Sequence, residues 1–172
     1  EVCHKYGSLL LVDNAHGAYL RFLSESKHPL SLGADLVCDS AHKTLPVLTG
    51  GAYLHISRDT DSFFCDNAKQ SLALFASTSP SYLILQSLDA CNKYLDEGYK
   101  DILNSFAVKV EKLKNDIKSM GFALIGDEPL KSTVFSKPFG YLGTELADIL
   151  QKKNIFCEFF DPDYLVMMLT PE

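Results

Sequence analysis

The chain has 172 residues, 47% hydrophobic and 22% charged, with 16 Lys+Arg against 22 Asp+Glu and a formal net charge of -6. That is globular usage, enough for one ordinary domain with a core or pieces of two small ones, and it excludes disordered and fibrous classes. The acidic balance argues against nucleic acid and anionic membrane as main partners, and no apolar run reaches the roughly 18–20 residues of a spanning helix.

Taken in chain order, Glu1-Val2-Cys3-His4-Lys5-Tyr6-Gly7 reads as a helix end closed by a C′ glycine. The continuous apolar run Leu9-Leu10-Leu11-Val12 predicts a strand buried on both faces in a parallel sheet, stopping at Asp13. A mixed segment with Pro29 follows. A second short strand is predicted over 34–38, stopping at Asp39-Ser40, and a third over 52–56 lies close enough to turn straight back on it. Residues 59–76 carry helix signals, with acidic residues early and Phe63, Phe64, Leu72 and Leu74 among polar neighbours. Ser77-Thr78-Ser79-Pro80-Ser81 is a loop, and 82–94 has helical spacing.

The longest helical pattern runs over 99–120. Ile102, Leu103, Phe106, Val110, Leu113 and Ile117 form one stripe with lysines opposite, and Gly121 ends it. Strands are predicted over 122–125, 133–135, 155–160 and 164–169, with a short helix over 143–153 for which Thr144 is the expected N-cap. The pattern is strands with helical crossovers to about residue 98, a long connecting helix, then a smaller α/β unit. It predicts a piece of a two-domain α/β protein. Because the chain opens without a Met and stops just past a strand, a fragment is expected. Such a fragment should be a poor enzyme by itself, prone to associate through strand edges such as residues 9–12.

The five cysteines (Cys3, Cys38, Cys65, Cys91, Cys157) are an odd number without C-x-x-C spacing. They read as small buried hydrophobes in a reducing compartment, with no disulfide framework and no metal site expected. The opening residues lack the pattern of a signal peptide, and the cytoplasm is the expected location.

Two predicted strands end in reactive side chains. Leu11-Val12-Asp13-Asn14-Ala15-His16-Gly17 puts a carboxylate at a strand's carboxyl end with an imidazole three residues on. Asp39-Ser40-Ala41-His42-Lys43-Thr44 puts a hydroxyl, an imidazole and an amine just past the next. Ligand sites in open α/β sheets form outside the carboxyl ends of strands. A lysine there is partly desolvated, which lowers its pKa and favours a nucleophilic amine. That suits Schiff-base chemistry, and pyridoxal phosphate pairs such a lysine with a carboxylate on its ring nitrogen. Spacing by itself leaves blander readings open: Asp13 as a turn or cap residue, Lys43 as a solvated surface lysine, each histidine as a structural group.

Val12-Asp13-Asn14-Ala15-His16-Gly17 together with Cys38-Asp39-Ser40-Ala41-His42-Lys43-Thr44-Leu45-Pro46 resembles the fold-type I pyridoxal-phosphate enzymes. Within them it is similar to the Orn/Lys/Arg decarboxylase family in its shorter form, as are Ser77-Thr78-Ser79-Pro80-Ser81-Tyr82 and Gly143-Thr144-Glu145-Leu146-Ala147. The resemblance implies part of the aspartate aminotransferase-like large-domain sheet over 1–98, then the connecting helix and a small α/β domain over 99–172. It implies pyridoxal phosphate as cofactor and decarboxylation of lysine, ornithine or arginine to a polyamine or its precursor. Lys43 would bind the cofactor covalently and Asp13 would pair with its ring nitrogen. Ala15 would pack on one ring face, His16 would face the phenolic oxygen or the substrate, and Ser40 and His42 would hold the phosphate. Thr78 and its serine neighbours would lie near the interface of a homodimer or higher homo-oligomer. The family's first phosphate-binding turn and the aromatic residue on the other ring face precede Glu1 in chain order. Two alternatives stand beside this: another fold-type I reaction such as transamination or elimination, and a remnant that binds no cofactor.

Overall fold

In the computed structural model, which describes residues 1–171, two units are distinct, Glu1–Asp101 and Ile102–Glu172. The first opens with a one-turn helix, α1 (Val2–Lys5), closed by Gly7 at φ +67°. The Gly7 and Ser8 N–H groups donate to the His4 and Cys3 carbonyls, so the C′ glycine does what its place predicts. Strand β1 (Leu11–Asp13) then runs parallel to β2 (Leu36–Asp39), with Asp13 level with Cys38, and β3 (Tyr53–Ile56) turns back antiparallel on β2. The Asp35 carboxylate ties this start together, accepting from the Leu10 N–H and His4 Nε2, each at 2.7 Å.

Two expectations fail in this sheet. Among the described residues the order is β1-β2-β3, so β1 pairs with β2 alone, and Leu11 is 63% exposed rather than buried on both faces. The crossover from β1 to β2 is also not an α-helix. It holds two 3-10 turns, Ala18–Phe22 and Pro29–Leu32, because Pro29 fixes a short helical start and Gly33 at φ +98° ends it one turn later.

A short helix, α2 (Ala41–Thr44), follows β2. Helix α3 (Ser62–Phe75) is capped by Asp61, whose carboxylate accepts the Phe63 N–H at 2.9 Å. It has no buried residue, and its apolar side lies over the Leu36, Leu54 and Ile56 face of the sheet across a groove of about 670 Å³. Helix α4 (Tyr82–Tyr94) has the predicted bounds. The core of this unit sits on the other sheet face, around Val37, Ala41, Tyr19, Cys91 and Tyr99. Tyr99 packs edge-on to Phe22, ring centres 5.4 Å apart. Only Cys91 of the five cysteines is buried; Cys38 on β2 and Cys65 on α3 are exposed.

Helix α5 (Lys100–Ser119) is the long helix, ended by Gly121 at φ +99°. Its stripe differs from the sequence pattern: Leu103 and Val110 are buried, but Ile102 and Leu113 are substantially exposed, and Lys114 is buried. The Lys114 ammonium donates to the Glu128 carbonyl, which satisfies it inside the turn before β5, and burial pushes its pKa down. The second sheet has the order β4-β5-β7-β6, with β4 (Ala123–Ile125), β5 (Lys131–Phe135), β6 (Phe159–Phe160) and β7 (Tyr164–Met168) all antiparallel. The predicted strand over 155–160 shrinks to two residues, Phe159 and Phe160, which pair with Val166 and Leu165 of β7.

Helix α6 (Gly143–Gln151) packs Ala147 against Val134 and Leu165, with Leu146, Leu150 and Met167 around them. Its cap is not Thr144, which lies inside the first turn. Leu142 takes the N-cap position, and the Glu145 carboxylate reaches back to its N–H at 2.9 Å. Gly143 is required by close approach: a Cβ there would stand 2.3 Å from both the Asp161 and Tyr164 carbonyl oxygens. Gly143→Ala is therefore expected to force α6 off the β6–β7 turn and to lower stability by about 1–3 kcal/mol, read as a lower denaturation midpoint. An unchanged midpoint would mean that the helix start moves freely.

Candidate functional site

Parallel pairing decides where the reactive residues meet. With Asp13 level with Cys38, both chains leave the sheet at the same carboxyl edge, and the Asn14 N–H extends the ladder to the Cys38 carbonyl at 2.9 Å. Asp13 is exposed at that edge. Ala15 and His16 occupy the turn after β1, both half-buried. Ser40 precedes α2, and Lys43 is the exposed third residue of this one-turn helix. Buried neighbours Ala41, Thr44 and Leu45 hold α2 in place, so the lysine stem projects from a fixed turn.

The His42 ring is also held. Its Nδ1 lies 3.0 Å from the Gly51 carbonyl, to which its own backbone N–H also donates, so Nε2 is the ring atom left for a ligand. No hydrogen bond or ion pair occupies the side chains of Asp13, His16, Ser40 or Lys43 among the described residues. Thr44 Oγ1, buried beside Lys43, has no hydrogen-bond partner there either. Asp13, His16, Ser40, Lys43 and the Nε2 of His42 give a carboxylate, two imidazoles, a hydroxyl and an amine at one end of the sheet, a donor set that fits a phosphorylated, lysine-bound aldehyde cofactor.

Sequence reasoning gave no role to the most elaborate cluster nearby. Asp39, the last residue of β2, is 3% exposed. His28 Nε2 and His55 Nε2 each lie 3.0 Å from its Oδ2, and Asn14 Nδ2 donates to its Oδ1 at 2.7 Å. Burial raises the Asp39 pKa, but hydrogen bonds from His28, His55 and Asn14 outweigh it and hold the carboxyl well below the ordinary carboxylate range. The same three groups, His28, Asp39 and His55, are close enough to be read as metal ligands. The Leu30 N–H donates to His28 Nδ1 at 3.2 Å, however, which puts the His28 proton on Nε2 and removes the lone pair a metal would need. Beside the cluster opens a cavity of about 400 Å³ lined by Phe22, Leu45, Tyr53, His55 and Leu95 among others. A signal existed in the sequence: a carboxylate closing an apolar strand run must find donors if it is buried. Nothing local says which.

The architecture is similar to that of two solved enzymes. One is the lysine decarboxylase LdcF of Francisella novicida, with a TM-score of 0.69 at 18% identity over 94% of this chain and 29% of that one. The other is the serine palmitoyltransferase of Sphingomonas wittichii, with 0.71 at 15% identity over 99% of this chain and 44% of that one. These likenesses define the class of fold as the aspartate aminotransferase-like, fold-type I α/β architecture. In sequence, the chain is 37% identical to the uncharacterised Bacillus subtilis protein YaaO over 96% of its own length and 36% of that protein's. It is 29% identical to an arginine decarboxylase of Halalkalibacterium halodurans over 95% of its length and 32% of the relative's. It thus spans about a third of the length of these relatives. The model of the Orn/Lys/Arg decarboxylase major domain matches residues 1–135, and the chain belongs to that family.

Proposed function

We propose that this chain is the cofactor-binding segment of a pyridoxal-phosphate-dependent decarboxylase that converts a basic amino acid, lysine, ornithine or arginine, into a polyamine or its precursor and CO2. The observation that carries the reading is the register of β1 on β2, which brings Asp13 and the Ser40–Lys43 turn to one edge. Family membership supports it, and the names of the arginine decarboxylase relatives agree. In this reading residues 1–98 are large-domain sequence and 99–172 the connecting helix with a small α/β domain. The intact enzyme is a cytoplasmic homodimer or higher homo-oligomer with no nucleic-acid partner. Among the described residues no helix is long and apolar enough to cross a membrane.

When bound, pyridoxal phosphate supplies a protonated ring that accepts the electrons left as a carboxylate departs as CO2. The chain's own residues do the rest. The Lys43 amine would hold the cofactor covalently. The Asp13 carboxylate would hold a proton at the ring nitrogen. Ala15, with its small side chain, would lie against the ring, and His16 would face the phenolic oxygen or the substrate. Ser40 and His42 bind the phosphate, His42 through Nε2 because Nδ1 faces Gly51.

The test is to add pyridoxal phosphate to the purified intact protein and analyse products from lysine, ornithine and arginine. Absorbance of a lysine-bound cofactor, with CO2 and the matching amine from one of the three, is the expected result. An oxo-acid product would make it an aminotransferase, which uses the same Asp13 and Lys43. No absorbance change at all would leave a cofactor-free remnant.

A further inference from the structure

We propose that Asp39 is a positioning residue: anchored by His28 and His55, it grips the Asn14 amide and so locks the turn carrying Asp13, Ala15 and His16 to the turn carrying Lys43. This rests on the reading above that the two turns form one cofactor site. The His28–Asp39–His55 group lies off that site. The β2–β3 register sets Val37 opposite His55 and Asp39 opposite Tyr53, so these four share one sheet face, while Leu36, Cys38, Leu54 and Ile56 take the other. On β1, Val12 pairs with Val37 and Asp13 with Cys38, which puts Asp13 on the opposite face from Asp39.

Asn14 is the link across the sheet edge. Its side chain donates to Asp39, and its backbone N–H bonds the Cys38 carbonyl. Because neighbours on an extended chain alternate in direction, holding the Asn14 side chain toward Asp39 holds the Asp13 side chain away from it, on the other face. The turn closes beneath the same amide. The Gly17 N–H donates to the Asn14 carbonyl at 3.1 Å, and a Cβ on Gly17 would fall 2.0 Å from Asn14 Oδ1. The glycine of Asp13-Asn14-Ala15-His16-Gly17 thus leaves room for the side chain that Asp39 grips.

Asp39 in turn is fixed from behind. His28, its ring neutral and its Nδ1 taken by the Leu30 N–H, has only Nε2–H to give, and it gives it to Asp39. Together with the His55 and Asn14 donors, three groups converge on a carboxylate that cannot rotate without leaving one of them unpaired.

A swap at positions 14 and 39 tests this in the intact protein. Asn14→Asp sets two carboxylates against each other. Adding Asp39→Asn restores one N–H···O bond in the reverse sense, while the amide carbonyl introduced at position 39 can still accept from both histidines. Two readouts are taken at a temperature where circular dichroism shows each variant fully folded: amide hydrogen exchange at positions 14 and 17 without cofactor, and the dissociation constant of pyridoxal phosphate.

Asn14→Asp is expected to speed exchange at both amides and to weaken cofactor binding, each about tenfold or more, the worth of one hydrogen bond to a charged group. The double variant is expected to return both to within about threefold of the parent. If Asn14→Asp does not fold, Asn14→Ala, which removes the donor without adding charge, is read in the same way. A lowered thermal midpoint with unchanged exchange and unchanged affinity would make the cluster merely structural and overturn the proposal, as would a swap that restores neither. A parent protein that holds no pyridoxal phosphate overturns the functional reading instead, and the exchange measurement then decides the clamp without it.

Discussion

Replacing Lys43 with alanine in the intact protein is expected to abolish turnover while the fold stands. The side chain is exposed and makes no hydrogen bond or ion pair among the described residues. What holds its turn is Ala41, fully buried, with Thr44 and Leu45. Stability should therefore change by less than about 0.5 kcal/mol, as for other exposed sites free of structural contacts. Activity should fall by about a thousandfold or more, because no other group at this edge could form the covalent link that the proposed function assigns to Lys43. The measurements are decarboxylation rate, the absorbance of the lysine-bound cofactor and the thermal midpoint. Lost absorbance with an unmoved midpoint is the expected pair; retained decarboxylation would sink the assignment.

Asp13→Asn should separate binding from chemistry. Among the described residues Asp13 is exposed at the end of an edge strand and its side chain makes no hydrogen bond, so the amide should be tolerated structurally. An amide cannot hold a proton on a pyridine nitrogen as a carboxylate does. In the proposed function this contact would matter most as negative charge develops during loss of CO2, and such preorganised electrostatic contacts are worth about 3–4 kcal/mol, a few hundredfold in rate. The expected result is a rate lowered by that factor with cofactor affinity lowered much less. Affinity and rate falling in proportion would show Asp13 to be a binding group only.

Much of the local structure was legible because its signals are local. Residues 82–94 repeat apolar positions at helical spacing between a Ser-rich loop and the acidic Asp96-Glu97 pair, and α4 has those bounds. Gly7 and Gly121 end helices because their left-handed φ is open to glycine at little strain. The run ending at Asp13 and the run ending near Asp39 pair in parallel, so the two reactive strings meet at one edge as the strand reading implied. The short spacing to the Gly50-Gly51 strand required β3 to turn back, and it does.

Tertiary structure decided what each element touches. Leu11 reads as buried on both faces, yet among the described residues β1 lies at the edge of its sheet and Leu11 is exposed, because an apolar run states which residues are apolar and not whether another element covers them. Lys114 reads as solvated, yet a carbonyl 14 residues on satisfies it inside. Thr144 reads as a cap, yet the cap lies two residues earlier at Leu142, whose N–H Glu145 reaches back to hold. Asp39 is the sharpest case. Its string points to Ser40, His42 and Lys43, while its own partners lie 11, 16 and 25 residues away in the chain. Which donors reach a buried carboxylate depends on the sheet register and on the turns folded over it. A side-chain cluster that forms only when four separate segments converge leaves no period and no spacing for a sequence to display.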